Sequence, residues 1–528
     1  MARTPQNNPG DLYLTNGTIY AGSPWKNPVQ SIAVKNGHVI ALGDAATEHL
    51  SGYFEDQTID LDGRVVLPGF IDSHIHLTSL GESLSQLAFH EDSDIGQIQK
   101  MVQTEVAHKT PGEWITGGKW SRHTLGGFPD KQCLDEVAPD NPVALYSKDL
   151  HSLLVNSAGL RTLGIDSNTT APAGGAIVTD GQGEPTGILQ ETAMQIFENN
   201  RPKPSLEQLF EYHTTAAEYC YQYGITAVHS IESMDSWSAL TRFYNEGNIA
   251  LRTGVLLPVE HLDQIIEQGI RSGQGDDWLW TIGIKIFTDG ALGSNSAWMK
   301  EPYEGSEDCG MPLTDPETLE SQVRQAHNHH LSLGIHAIGD AAINMTLSAL
   351  QSESAEKLFD RIEHLQVVDP EDLQRLPKNF TAAVQPIHLF GDRKPAEQFW
   401  GDRARYAYAF DTVHRQGTRL CFGSDAPVEE ANPWQGIQAA VARRQHATES
   451  PWYPEEKISL NQALTAYTAH GAETAYRGNR LGMLRENTPG DLVVLNANPW
   501  EAAETDLGEI QPALTVINGN IVYRDGTF

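Results

Sequence analysis

The sequence predicts an α/β protein built on a (β/α)8 barrel, with a small β-sandwich domain assembled from both chain ends. Three observations carry that expectation. Strand-like and helix-like runs alternate through the middle, several strand-like runs end on His, Lys or Asp, and both chain ends share one hairpin-rich β style. Alternation implies parallel strands joined by crossover helices, and a barrel gathers polar residues from many strand ends at its C-terminal face. A doubly wound sheet would not collect ligands from so many strands around one point.

In chain order, residues 11–20 and 31–40 read as strands interrupted by Asn16-Gly17 and Asn36-Gly37. Asn-Gly is the strongest short-range hairpin signal. Residues 491–496 and 514–523 repeat the style, with Asn518-Gly519. These segments define a β-sandwich domain of residues 1–65 plus 483–528, flanking a barrel of residues 66–482. The barrel strands are expected at 66–76, 224–230, 250–257, 281–287, 333–336, 361–367, 380–385 and 419–422, with amphipathic helices such as 206–223 and 316–333 between them. About 145 residues separate the first two barrel strands, where a simple βαβ unit needs only ~30 or more. Residues of about 80–215 are therefore expected to form an inserted subdomain, with strands near 114–120 and 143–147, that covers the barrel mouth.

Composition narrows the function classes. The 528 residues are 39% hydrophobic and 20% charged, enough for a large buried core. Formal net charge is -33, from 36 Lys+Arg against 69 Asp+Glu. That excess disfavours phosphate-backbone binding and attraction to anionic membranes, so neither nucleic acid nor membrane is an expected partner. Cys133, Cys220, Cys309 and Cys421 are scattered and form no CxxC pair. Neither a disulfide framework nor a thiolate zinc site is implied, and the N-terminal ten residues lack the apolar core of a signal peptide. A cytoplasmic location is expected.

The site is read from the strand ends. Leu67-Pro-Gly-Phe-Ile-Asp-Ser-His-Ile-His76 runs an apolar segment into two histidines one residue apart. Alternation along a strand points His74 and His76 the same way, where both can grip one metal ion. Such a pair also occurs on wet strand faces without any metal. Lys285, His336, His364 and Asp425 at four later strand ends turn the reading towards metal-assisted chemistry.

Those residues also carry a resemblance. Leu67 to His76, Lys285-Ile-Phe-Thr-Asp-Gly-Ala-Leu-Gly-Ser294, His336-Ala-Ile-Gly-Asp340, Arg361-Ile-Glu-His364, Gln385-Pro-Ile-His388 and Gly423-Ser-Asp-Ala-Pro-Val428 resemble the amidohydrolase superfamily, in particular its YtcJ-like branch, which includes N-substituted formamide deformylases. Ala463-Leu-Thr-Ala-Tyr-Thr468 and Pro489-Gly-Asp-Leu-Val-Val-Leu495 extend the likeness over nearly the whole chain. The resemblance implies a TIM-like barrel holding one or two divalent ions, with Zn2+ expected, on His74, His76, Lys285, His336, His364 and Asp425. Imidazoles and carboxylates suit that ion. Lys285 would serve as a carboxylated lysine bridging two metals; as a plain salt-bridged lysine it would leave a mononuclear site.

The implied reaction is hydrolysis of an amide or formamide C–N bond by metal-activated hydroxide. Asp425 would be the general base and acid, and His364 or a second metal would polarise the carbonyl. Trp120, His151, Gln385 and His388 are the candidate substrate-binding residues, while Arg361, Arg443 and Arg444 are available to meet a carboxylate. The expected partner is a small amide-type substrate with an apolar or aromatic amine part, and a homodimer is left open. A mononuclear deaminase of the same superfamily is the second reading, although the segment after His336 lacks the glutamate such deaminases usually place there. A non-catalytic homologue is the third, and it would be expected to lose ligands that this chain retains.

Overall fold

The computed structural model describes residues 9–48, 57–90, 92–122, 124–147, 152–172, 175–201, 203–293, 295–352, 358–376 and 380–528. One sheet holds eight parallel strands: β1 (Phe70–Ile75), β2 (Ile225–Ile231), β3 (Arg252–Pro258), β4 (Leu279–Phe287), β5 (Ser332–Ala337), β6 (Arg361–His364), β7 (Thr381–Val384) and β8 (Arg419–Phe422). They are hydrogen-bonded in chain order from β1 to β8. Nearly all their residues are buried, as expected when helices cover a parallel sheet. Met234–Asn245, Pro316–Asn328 and Asp340–Ser352 are among the crossover helices, and Pro433–Ala442 follows β8. Asp315 caps the second of these and Asn432 the last, each accepting from backbone N–H groups that the helix itself leaves unpaired.

The residues just after β8 meet the end of β1 and bring the sheet round on itself. Asp425 N donates to His74 O at 2.7 Å, and His76 N donates to Ala426 O at 2.9 Å. Gly423 permits the approach, because a Cβ there would sit 2.4 Å from His74 N. The expected first strand, 66–76, is in fact two strands. Val65–Pro68 pairs with Leu492–Leu495 in a terminal sheet, and β1 starts after Gly69. Gly69 is packed against Thr226, so the chain changes partners where no side chain fits.

The chain ends build two further sheets. One orders His38–Leu42, Ile32–Lys35, Leu12–Thr15 and Thr58–Asp60, and the other orders Thr18–Ile19, Val65–Pro68, Leu492–Leu495, Pro512–Ile517 and Asn520–Arg524. Leu14, Ile32 and Val34 from the first share an apolar core with Val66, Leu492, Val494 and Val516 from the second. At Asn36-Gly37 and Asn518-Gly519 both residues take positive φ and the flanking strands pair antiparallel, as a tight hairpin requires. Asn16-Gly17 differs from that expectation. Only Asn16 has positive φ, and the strands on either side enter different sheets.

Two compact units emerge, residues 1–80 with 213–528, and residues 81–212. The second unit holds a six-stranded sheet ordered Gly175–Thr179, Pro185–Glu191, Ser152–Val155, Val143–Ser147, Ile115–Trp120 and Leu87–Ala88. It has apolar cores of its own, one around Ile98, Ile115 and Leu145 and one around Leu153, Leu189 and Phe197. No described helix is long and apolar enough to cross a membrane.

Candidate metal centre

Each candidate ligand stands at the C-terminal end of a barrel strand. His74 is the fifth residue of β1, and His76 follows its last residue. Lys285 lies near the end of β4, His336 near the end of β5, and His364 closes β6. Asp425 lies three residues past β8. Asp72 holds the β1 and β8 ends in register, its Oδ1 accepting from His74 N at 3.1 Å and Ser424 N at 3.0 Å. His364 and Asp425 both take positive φ, 70 and 62, conformations that non-glycine residues adopt at a cost of order 1–3 kcal/mol. The surrounding hydrogen bonds hold them there.

The side chains converge. One potential ligand atom each from His74, His364 and Asp425 lies within 4.8 Å of the other two. His74 Nε2 is 3.3 Å from Asp425 Oδ1, and His76 Nε2 is 3.2 Å from the same oxygen. The ring of His364 lies 4.9 Å from that of His74 and 4.5 Å from that of His336. Hydrogen bonds select which ring nitrogens remain free. Glu363 Oε2 accepts from His74 Nδ1 at 2.5 Å, so in the neutral ring the lone pair lies on Nε2. Gly290 O can only accept, so His336 Nε2, 3.0 Å away, carries its proton and leaves Nδ1 free.

Burial sets the charges. Burial opposes ionisation of Asp425, but His74, His76 and His364 around it hold its carboxyl well below the usual range. Burial, with the neighbouring rings of His336 and His74, drives His364 well below its ordinary value, so that ring is neutral and able to ligate. Burial opposes the charged form of His74, yet the carboxylates of Glu363 and Asp425 carry it above its ordinary value. Lys285 is fully buried, and burial lowers its amine to about 8 although Glu363 and Asp425 pull the other way. Among the described residues its Nζ has no hydrogen-bond partner, and it sits 4.7 Å from the ring centroid of Phe287.

That donor set fits a divalent ion. Imidazole nitrogens and an ionised carboxylate converge as such ions require, and the Lys285 amine is a buried polar atom without a hydrogen-bond partner among the described residues.

The remaining candidates have different settings. His388 begins the helix His388–Trp400, and its Nε2 lies 3.9 Å from Asp425 Oδ2. Gln385 is buried just past β7 and donates to Ala383 O at 3.1 Å. Trp120 belongs to the 81–212 unit, where its ring is buried and its indole N–H donates to Leu145 O at 2.7 Å. His151 lies outside the described residues. Arg361 and Arg443 do not await a carboxylate at a surface. Both are fully buried, and Arg443 donates to the carbonyls of Trp452 and Tyr408.

Sequence reading missed Glu363 and Asp289. Asp289 Oδ2 accepts from Trp298 N at 2.9 Å and Gly339 N at 2.8 Å, while Oδ1 lies 3.3 Å from His336 Nε2. A signal for Glu363 was present, since Arg361 and Glu363 alternate with Ile362 and therefore face the same side of β6 as one another.

Comparisons with known proteins identify the family of the chain and relatives of its fold. Residues 57–523 match a family model described as amidohydrolase family. The chain is 33% identical over 537 residues to Protein LONG AFTER FAR-RED 3 of Arabidopsis thaliana, covering 97% of this chain and 91% of that protein. It is 25% identical to the N-substituted formamide deformylase of Arthrobacter pascens, covering 97% of this chain and 98% of that protein. A crystal structure of an uncharacterized metal-dependent hydrolase from Pyrococcus furiosus superposes with TM-score 0.80 at 27% identity, over 93% of this chain and 100% of that one.

Proposed function

The chain belongs to the amidohydrolase family, and from that premise we propose that it is a metal-dependent hydrolase of carbon–nitrogen bonds acting on a small amide or formamide. The observation that carries the reading is the convergence of His74, His364 and Asp425 at one end of the barrel, beside the unpartnered amine of Lys285. His74, His76, His336, His364 and Asp425 would hold the ion or ions, with Zn2+ the best match to this donor set, and Lys285 would join as a carbamate. When bound, a divalent ion acidifies water and polarises a carbonyl, which supplies a nucleophile and an electrophile at neutral pH.

The chain's own residues manage the protons. Asp425 is held ionised and can accept a proton as water attacks the substrate carbonyl. It then returns that proton to the leaving nitrogen, so the products are an acid and an amine. His388, close to the second oxygen of Asp425, can orient the substrate or the carboxylate. The similarity to a protein named as a formamide deformylase favours an N-substituted formamide among amides. The free cysteines suit a reducing, cytoplasmic setting.

The experiment is turnover of a panel of N-formyl and N-acyl amines with added Zn2+, wild type against Asp425→Asn. Wild type is expected to release amine, and the variant to lose about 10²–10⁴ in kcat, the usual contribution of general acid–base catalysis. Full activity in the variant, or no turnover of any amide by wild type, contradicts the reading.

A further inference from the structure

We propose that Glu363 is a positioning residue of the metal centre: together with Arg361 it fixes the ring of His74 with Nε2 free, and ion binding depends on that. The inference rests on the metal-binding reading of the same site.

Glu363 is engaged on both oxygens. Oε2 meets His74 Nδ1, and Oε1 accepts from Arg361 Nε. The rest of the Arg361 guanidinium reaches two other strands, with Nη1 2.9 Å from His229 Nδ1 on β2 and Nη2 donating to Ser73 O on β1 at 2.5 Å. One buried cation therefore ties β6 to β1 and β2 directly beside the first candidate ligand. Arg361, Glu363, His229 and His74 are all essentially inaccessible to solvent.

Stability alone does not account for such a pair. Two charges taken out of water are expensive, and apolar residues of similar volume often hold a fold together equally well. The carboxylate does, however, give His74 what a ligand needs. It restrains the ring and keeps the proton on Nδ1; without an acceptor there, the proton can move to Nε2 and remove the lone pair. Carboxylates that accept from the distal nitrogen of a ligating histidine commonly act in this way. Space has been left for it, because a Cβ on Gly334 of β5 would lie 2.8 Å from Glu363 Oε1.

The test uses metal-free full-length protein and Zn2+ alone, titrated against a chromogenic chelator, with the thermal midpoint of each metal-free variant measured alongside. Glu363→Asp keeps the charge beside Arg361 but is one methylene too short to serve both partners. It is expected to bind Zn2+ about 10–100-fold more weakly, with its metal-free midpoint close to wild type. Should it fail to fold, Arg361→Lys retains the charge, loses the fork that orients Glu363, and carries the same expectation. Wild-type affinity in a folded variant overturns the proposal, as does a loss of affinity matched by an equal loss of metal-free stability. If wild type itself takes up no Zn2+, the metal reading falls and this inference with it. No substrate enters the measurement, so failure to find a cleavable amide leaves it intact.

Discussion

Glu363 and Lys285 share one water-excluded interior, and their surroundings treat them in opposite ways. Burial penalises the charge on both, but Arg361 and His74 hold Glu363 well below the usual carboxyl range. Lys285 has no hydrogen-bonding partner among the described residues, and burial lowers its amine to about 8. An ordinary lysine becomes neutral only above about pH 10.4, whereas Lys285 gains neutral amine as pH rises through about 8. Only the neutral form reacts with carbon dioxide. Metal-free protein is therefore expected to take up a second ion faster with bicarbonate at about pH 8.5 than at about pH 6.5, and Lys285→Met to stop at one ion. Stoichiometry measured over time checks this, and uptake indifferent to both pH and bicarbonate would argue for a plain buried lysine. At this scale the sequence was legible where chemistry is written in residue type, as with His74 or Asp425. It was silent on Glu363, whose part depends on Arg361 and His74 meeting it in space.

Strands were read most readily where hydrophobic runs and ligand residues coincide, and least where a run changes partner. Residues 66–76 look continuous because both halves are apolar, yet Val65–Pro68 pairs with the chain's end and Phe70–Ile75 with β2. Nothing local announces that switch except Gly69. The strand expected at 361–367 stops at His364 because His364 and Leu365 both turn to positive φ, which ends a β run. Asn16-Gly17 shows the same limit, since a hairpin signal fixes a turn and leaves open which sheet receives the strands. The β1–β8 junction gives an element-scale prediction. Gly423→Ala would place a Cβ 2.4 Å from His74 N and force the strand ends apart. Overpacking of this kind costs about 1–3 kcal/mol, and the displaced His74 and Asp425 should also bind Zn2+ more weakly. Urea denaturation and metal titration read the two effects, and a variant that keeps both stability and affinity would show the junction to be tolerant.

Over the whole molecule, length and patterning led to the expectation of a barrel and an insertion; the structure has an eight-stranded parallel sheet and a compact unit of residues 81–212 with cores of its own. Trp120 shows why individual roles inside that unit could not be read ahead. A tryptophan in a strand is equally at home in a pocket or a core, and only packing distinguishes the two. If the ion binds the folded barrel and not the unfolded chain, saturating Zn2+ at about 100 times its Kd should add about 2.7 kcal/mol of stability. Calorimetry before and after chelation should show that shift in wild type and little of it in His364→Ala; equal shifts in both would place the ion elsewhere. The most direct test of the central claim is the metal content of purified wild-type protein, by plasma mass spectrometry, beside a His74→Ala, Asp425→Asn double variant. One or two tightly held divalent ions per chain in wild type, lost in the double variant, is the result expected. Wild-type protein that binds no divalent ion, or a double variant that holds as many, would contradict it.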